Sequence, residues 1–115
     1  MQYMLLVYDV PSAWPEDLDP SSPEFQAIYA EYAAVSQDEA TKHAGQLQPV
    51  AQAKSLRIRD GETLVTDGPF AETKEQLGGY YLVEAGSADE ALALAARIPS
   101  ARMGGCVEVR PLVEM

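Results

Sequence analysis

The sequence predicts an α+β domain in the order β-α-(ββ)-β-α-β, with its helices on one face of an antiparallel sheet. Three observations carry that prediction. Apolar runs of strand length open at residues 3, 79 and 106, near the start, the middle and the end of the chain. Two stretches that begin with helix-capping signals, at Ser22 and Ser87, continue with apolar residues at helical spacing. Between them, Asp60-Gly61 separates two alternating runs and marks a hairpin, because both central turn positions need positive φ.

Each element follows in order. Residues 3–10 are read as a strand with Met4, Leu6, Tyr8 and Val10 on one face and Tyr3, Leu5, Val7 and Asp9 on the other. Both faces are mostly apolar, as expected of a strand covered on both sides. Asp9 is the exception, either a solvated strand-end group or part of a pocket wall. Residues 11–23 hold Pro11, Pro15, Pro20 and Pro23, which favour an extended loop, and the lone Trp14 there caps the core or sits in a dimer contact. Ser22-Pro23-Glu24 starts a helix whose stripe is Phe25, Ile28, Tyr29 and Tyr32. Continued to Ser36, Glu39, Ala40 and His43, that stripe turns polar. Either the helix end overhangs a polar cleft, or the helix breaks at Ser36-Gln37-Asp38-Glu39, which reads as a capping box. Gly45 ends the helical region, and residues 46–49 form a short connector. The hairpin follows over residues 54–66, with Leu56, Ile58 and Val65 on one face. The next strand, residues 79–85, leads to a second capped helix with a buried stripe of Ala91, Leu94, Ala95 and Ile98, stopped by Pro99. Residues 106–113 make the last strand, with Val107 and Val109 inward.

At 115 residues, with 47% hydrophobic and 23% charged residues, the chain makes one globular domain with its own core. Eight Lys and Arg against eighteen Asp and Glu leave a net charge of −10, which argues against nucleic acid and anionic membranes as partners. A single cysteine excludes an internal disulfide, and Cys106, beside an apolar strand, is expected to be a packed thiol. The N-terminal residues show no basic leader or cleavage site, so a cytoplasmic location is expected. One His and one Cys do not make a zinc set, and Gly78-Gly79 precedes a strand rather than a helix, so no metal or phosphate-bearing cofactor is expected.

Chemistry concentrates between the hairpin and the next strand. Residues 67–78 bring Asp67, Glu72, Thr73, Lys74, Glu75 and Gln76 together with Gly68, Pro69 and Gly78, a connection longer than most turns. His43 is the one side chain that titrates near neutrality. Paired with Asp67 it would make a general base and its orienter; alternatively His43 caps its helix and Asp67 binds backbone amides of its own turn. Glu72, Thr73 and Lys74 are candidate ligand-binding groups. Tyr80 and Tyr81 point to opposite sheet faces, so only one lines a cleft, and Tyr81 is taken as that residue.

The run Asp67-Gly68-Pro69-Phe70-Ala71-Glu72-Thr73-Lys74-Glu75, followed by Gly78-Gly79-Tyr80-Tyr81, resembles the signature of the DGPF-domain branch of the YCII-related family. The resemblance runs from Arg57 to Glu84 and extends loosely to Tyr3-Met4-Leu5-Leu6 and to Val107-Glu108-Val109-Arg110-Pro111. It implies a ferredoxin-like fold that pairs into a dimeric α/β barrel, hence a homodimer. Some relatives are proposed to use a His–Asp pair with the His on the first helix, a position His43 does not match cleanly. The segment before Leu47-Gln48-Pro49 is also shorter than is usual in that family. Two functional readings follow. One is a small-molecule binder or small enzyme, with its cleft between sheet, signature loop and dimer partner. The other is a non-catalytic regulatory protein linked to an extracytoplasmic-function sigma factor, which such proteins often accompany.

Overall fold

The computed structural model describes residues 1–10, 19–68 and 75–114. Strand β1 (Gln2–Asp9) leads to helix α1 (Pro23–Gln37), strand β2 (Thr41–Gln46) and a 3-10 turn at Val50–Gln52. The hairpin strands β3 (Lys54–Arg59) and β4 (Glu62–Asp67) come next, then β5 (Gln76–Glu84), helix α2 (Ala88–Ala95), a 3-10 turn at Pro99–Ala101 and β6 (Cys106–Pro111). The result is a mixed α+β fold. A four-stranded antiparallel sheet has the order β2-β5-β1-β6, and β3 and β4 form a separate two-stranded sheet.

The central strand β1 pairs with β5 on one side and β6 on the other. Its Tyr3, Leu5 and Val7 meet Val83, Tyr81 and Gly79 across β5, and all but the glycine enter one core cluster with Val35, Ala91, Leu94, Ala95 and Ile98. Both helices therefore lie against this one face. The opposite face of β1, with Met4, Leu6 and Tyr8, is only half-buried. The expectation of cover on both sides is thus corrected for the single chain.

The helix starts are as the sequence predicts. Ser22 Oγ accepts from the Phe25 amide at 3.2 Å, with Pro23 in the first turn. Ser87 Oγ accepts from the Glu90 amide at 3.2 Å, and Glu90 returns a bond to the Gly86 amide at 2.7 Å. Ala91, Leu94 and Ala95 are buried, as α2's stripe requires, and Ile98 is buried too, although the helix ends at Ala95, before Pro99, and Ile98 lies beyond it. The stripe of α1 behaves differently. Val35 is its one fully buried residue, whereas Phe25, Ile28 and Tyr32 are half-buried and Tyr29 is exposed.

The end of α1 decides between the two readings of its polar stripe. The helix stops at Gln37, and Asp38 takes an extended conformation with its carboxylate accepting from the Ala40 amide at 2.9 Å. Thr41 Oγ1 then donates to the Val35 carbonyl at 2.7 Å, satisfying a helix-end acceptor. The break is real, but no second helix starts there. The chain enters β2, an edge strand paired to β5, so His43 stands on a strand and not on a helix. The hairpin turn is as expected, with φ of +52° at Asp60 and +79° at Gly61. No helix among the described residues is long and apolar enough to cross a membrane.

This packing separates two leucine-sized side chains near α2. Ile98 is fully buried and Leu92 is half exposed. Urea unfolding should show Ile98→Ala losing about 2–5 kcal/mol, and Leu92→Ala losing under about 1 kcal/mol.

Candidate functional site: a carboxylate in a cleft under the first helix

Asp9 ends β1 on the helix-covered face. The β1–β5 ladder slips there, so that Val7 faces Gly79 while Tyr8 faces Leu77, leaving Gly78 without a partner on β1. This bulge admits the carboxylate: Asp9 Oδ2 lies 2.5 Å from where a side chain on Gly78 would begin. From the other side comes Ser100, 2% exposed, on the 3-10 turn after α2. Its Oγ donates to Asp9 Oδ1. Tyr32 of α1 lies with its hydroxyl 2.7 Å from the same Oγ. A serine has one proton, already committed to the carboxylate, so the Tyr32 phenol is the donor of that second bond. Tyr81 completes the chain by donating to the Tyr32 carbonyl at 3.2 Å.

Burial pushes the Tyr32 phenol above its ordinary range; the Ser100 bond opposes this and the nearby Asp9 charge adds to it. Burial also pushes Tyr81 up to about 12, with Tyr32 adding to the effect. Both phenols are protonated at neutral pH and both spend that proton inside the network. Asp9 Oδ2 is left with no hydrogen bond from any described residue.

Two clefts meet at this carboxylate. One, of about 580 Å³, lies between α1 and the sheet and is walled by Val7, Phe25, Tyr29, Tyr32, Ala44 and Tyr81. The second, also about 580 Å³, runs past Leu47, Pro49, Val50 and Leu77. Asp9, Gln46 and Gly78 border both. The first cleft exists because the apolar stripe of α1 does not close onto the sheet. An acceptor-only carboxylate among aromatic and aliphatic walls can hold an N–H or O–H donor, or take a proton from one. Among the described residues, no group of three His, Cys, Asp or Glu is placed to hold a metal ion.

The sequence-predicted residues fall elsewhere, with one exception. Asp67, at the end of β4, is highly exposed and pairs with Lys54 Nζ at 2.7 Å. Its turn is secured by other groups: the Gly68 amide donates to the Ala53 carbonyl at 2.6 Å, and Ser55 Oγ donates to the Gly68 carbonyl at 2.6 Å. His43, on β2, places Nδ1 2.9 Å from the Tyr80 hydroxyl, and the two rings stack with centroids 5.6 Å apart. Asp67 and His43 thus sit on different sheets, each with its own partner. Glu72, Thr73 and Lys74 lie outside the described residues, as does Trp14. Tyr81 does line the cleft, but so does Tyr80. Cys106 is exposed and not packed, because it begins β6 on the face away from the helices.

With the geometry in place, comparison with known proteins fits it to a family. A profile of the YCII-related domain matches residues 1–115, the whole chain. The chain belongs to the YCII-related family. An uncharacterised protein of Rhizobium meliloti (strain 1021) is 42% identical to it over 122 residues, covering 97% of this chain and 92% of the relative. In this YCII-related chain, sequence reasoning missed Ser100 and Tyr32 as site residues and left Asp9 undecided. Asp9 did carry a signal, as the one carboxylate on an apolar strand face. Ser100 carried none, because its partner lies 91 positions away in sequence.

Two expected outcomes follow. Ser100→Ala strips both Asp9 and Tyr32 of their shared partner, and urea unfolding should register a loss of about 1–3 kcal/mol. The second concerns alkaline pH. Folding favours the protonated Tyr81 phenol, raised from 10.0 to about 12. The stability this contributes is complete below pH 10 and is lost as pH rises toward 12. Thermal melts across that window should fall steeply for the wild type and more gently for Tyr81→Phe.

Proposed function

We propose that this YCII-related protein binds a small, largely apolar molecule in the cleft under α1, with Asp9 as its polar anchor. The observation that carries the reading is the Asp9 carboxylate, whose Oδ2 no described residue engages, in the wall of an aromatic-lined cleft of about 580 Å³, within the size range of small-molecule sites. The net charge of −10 disfavours anionic ligands. A neutral or cationic molecule with an N–H or O–H donor fits best. Where that donor is acidic, proton transfer to Asp9 is the chemistry the arrangement supports.

At the level of the fold, we read the chain as a DGPF-type, ferredoxin-like domain that pairs into a dimeric α/β barrel. The strand order β2-β5-β1-β6, with both helices on one face, supports the topology. The partly buried Met4, Leu6 and Leu82 on the other face, which no helix covers, support pairing through it.

A thermal-shift screen of small neutral and cationic compounds tests the binding reading. Donor-bearing apolar compounds should raise the melting temperature of the wild type. Ala33→Trp, which fills the cleft from α1, should abolish the shift while leaving the circular dichroism spectrum unchanged. Asp9→Asn should weaken binding by about tenfold, the loss of one charge-assisted hydrogen bond. Hits that bind wild type and Ala33→Trp equally would place the ligand elsewhere and sink the reading.

A further inference from the structure

We propose that the molecule bound in the cleft is a secondary carboxamide, its N–H held by Asp9 and its carbonyl by Gln46. The inference rests on the binding reading above and adds to it the ligand's chemical class and a second residue that selects it.

Register places Gln46 for this role. It ends β2 and pairs with Gly79 of β5, which pairs in turn with Val7 of β1. Residues directly opposed across strands share a sheet face. Gln46, Gly79 and Val7 therefore form one row on the helix-covered face, and Asp9 lies two residues beyond Val7 on that face. Gly79 leaves no room for a side chain, because one would begin 2.9 Å from the Gly45 carbonyl oxygen. The floor between Gln46 and β1 is thus bare backbone. Above it, the Tyr29 hydroxyl of α1 donates to Gln46 Oε1 at 3.2 Å. That bond decides which end of the Gln46 amide is spent. Oε1 is engaged, and no described residue takes the Nε2 hydrogens. The cleft therefore presents an acceptor at Asp9 and a donor at Gln46.

This pair selects among ligand chemistries. An ammonium satisfies Asp9 but offers nothing to the Gln46 donor. An ester or ketone offers a carbonyl to Gln46 but no proton to Asp9. A carboxylate meets the Asp9 charge and a net charge of −10. An alcohol can donate and accept, but only at one atom, whereas the two protein groups rise from β2 and β1 with β5 between them. Those outer strands lie about 10 Å apart, two strand spacings. A carboxamide separates its donor from its acceptor and so reaches both. The cavities argue for a secondary amide in particular. Asp9, Gln46 and Gly78 border both clefts, so a molecule held there sends one substituent into each. The first cleft has aromatic walls at Phe25, Tyr29, Tyr32 and Tyr81, and the second has aliphatic walls at Leu47, Val50 and Leu77. One substituent is accordingly aromatic and the other aliphatic.

Three probes test this on the full chain: N-benzylbutanamide, benzyl butanoate and N-benzylbutylamine. They share a skeleton and differ in the central group, which is an amide, an ester without the N–H and an amine without the carbonyl. Titrations followed by backbone amide shifts should show N-benzylbutanamide moving the Gly78 and Gly79 signals and binding at least about fivefold more tightly than either analogue, the worth of one hydrogen bond. Gln46→Ala should weaken the amide about fivefold and leave the amine unchanged. Tyr29→Phe frees the Gln46 side chain to turn and should lower the same preference of amide over amine. A merely structural role for either residue would weaken both probes alike. Should Gln46→Ala fail to fold, the preference measured in Tyr29→Phe decides. An ester or amine bound as tightly as the amide, or a preference unaltered by these substitutions, overturns the carboxamide; if Ala33→Trp still abolishes that binding, the cleft reading stands. Binding that survives Ala33→Trp overturns both. Failure of all three probes to bind overturns the carboxamide alone, and the compound screen then decides the cleft.

Discussion

The antiparallel pairing of β1 between β5 and β6 is the constraint on which the rest of the structure depends. It sets Tyr3, Leu5 and Val7 on one face, opposite Val83, Tyr81 and Gly79, and supplies the floor on which both helices rest. Leu5 and Val83 have no exposed surface at all. Burying a side chain of that kind is worth about 1.5–3 kcal/mol, so even these two are comparable with a good part of the net stability of a domain, about 5–15 kcal/mol. The same register carries the strand to its end at Asp9. The slip at Val7/Tyr8 frees Gly78 from the ladder and opens room for a carboxylate on the covered face. Core and site are therefore consequences of one strand alignment.

What was legible in the sequence follows from what was local. The helix starts at Ser22 and Ser87, the stripe of α2 and the Asp60-Gly61 turn are each set by residues within a few positions of one another, and each stands as read. β2 was not legible. Thr41-Lys42-His43-Ala44-Gly45-Gln46 has a single β-branched residue and no alternation, so nothing local marks it as a strand. Its conformation comes from the free edge of β5, and Gly45 suits that edge because the Tyr80 ring lies where a side chain on Gly45 would begin. His43 was misplaced for the same reason: a helical stripe was extended past the Asp38 turn that ends it. The site was half legible. Asp9 broke an apolar face and so announced itself, while Ser100 and Tyr32 gained meaning only when α2 and its following turn brought distant segments together.

The cleft is a place where local pattern and tertiary packing part company. Phe25, Ile28, Tyr29 and Tyr32 have the spacing of a core-facing stripe, yet only Val35 in the next turn is fully buried. A helix that packed its whole stripe would gain more from apolar burial. Instead α1 is held near its C-terminal end, by Val35 in the core and the Asp38 and Thr41 bonds, and stands off the sheet toward its N-terminus. Tyr32 sits at the boundary, with its hydroxyl tied to Ser100 and its ring in the cleft wall. Departures from full packing of this sort concentrate at functional sites, where binding and not folding sets the shape.

The network around Asp9 also shows how a carboxylate can be fixed in place without being used up. Ser100 takes one oxygen, and Tyr32 takes the remaining capacity of Ser100. Tyr81, by holding the Tyr32 backbone, links α1 to the centre of the sheet. Each donor in this chain has one proton and spends it inward, so none competes for Asp9 Oδ2. No described residue leaves a buried side-chain acceptor unsatisfied, so Oδ2 stays accessible from the cleft without a desolvation penalty. Gly78 makes room for this oxygen, since a side chain there would begin 2.5 Å from Asp9 Oδ2 and clash with it. The combination of a fixed first oxygen, an open second one and a bulge that clears the approach is the arrangement expected of a site that waits for a donor from outside the chain.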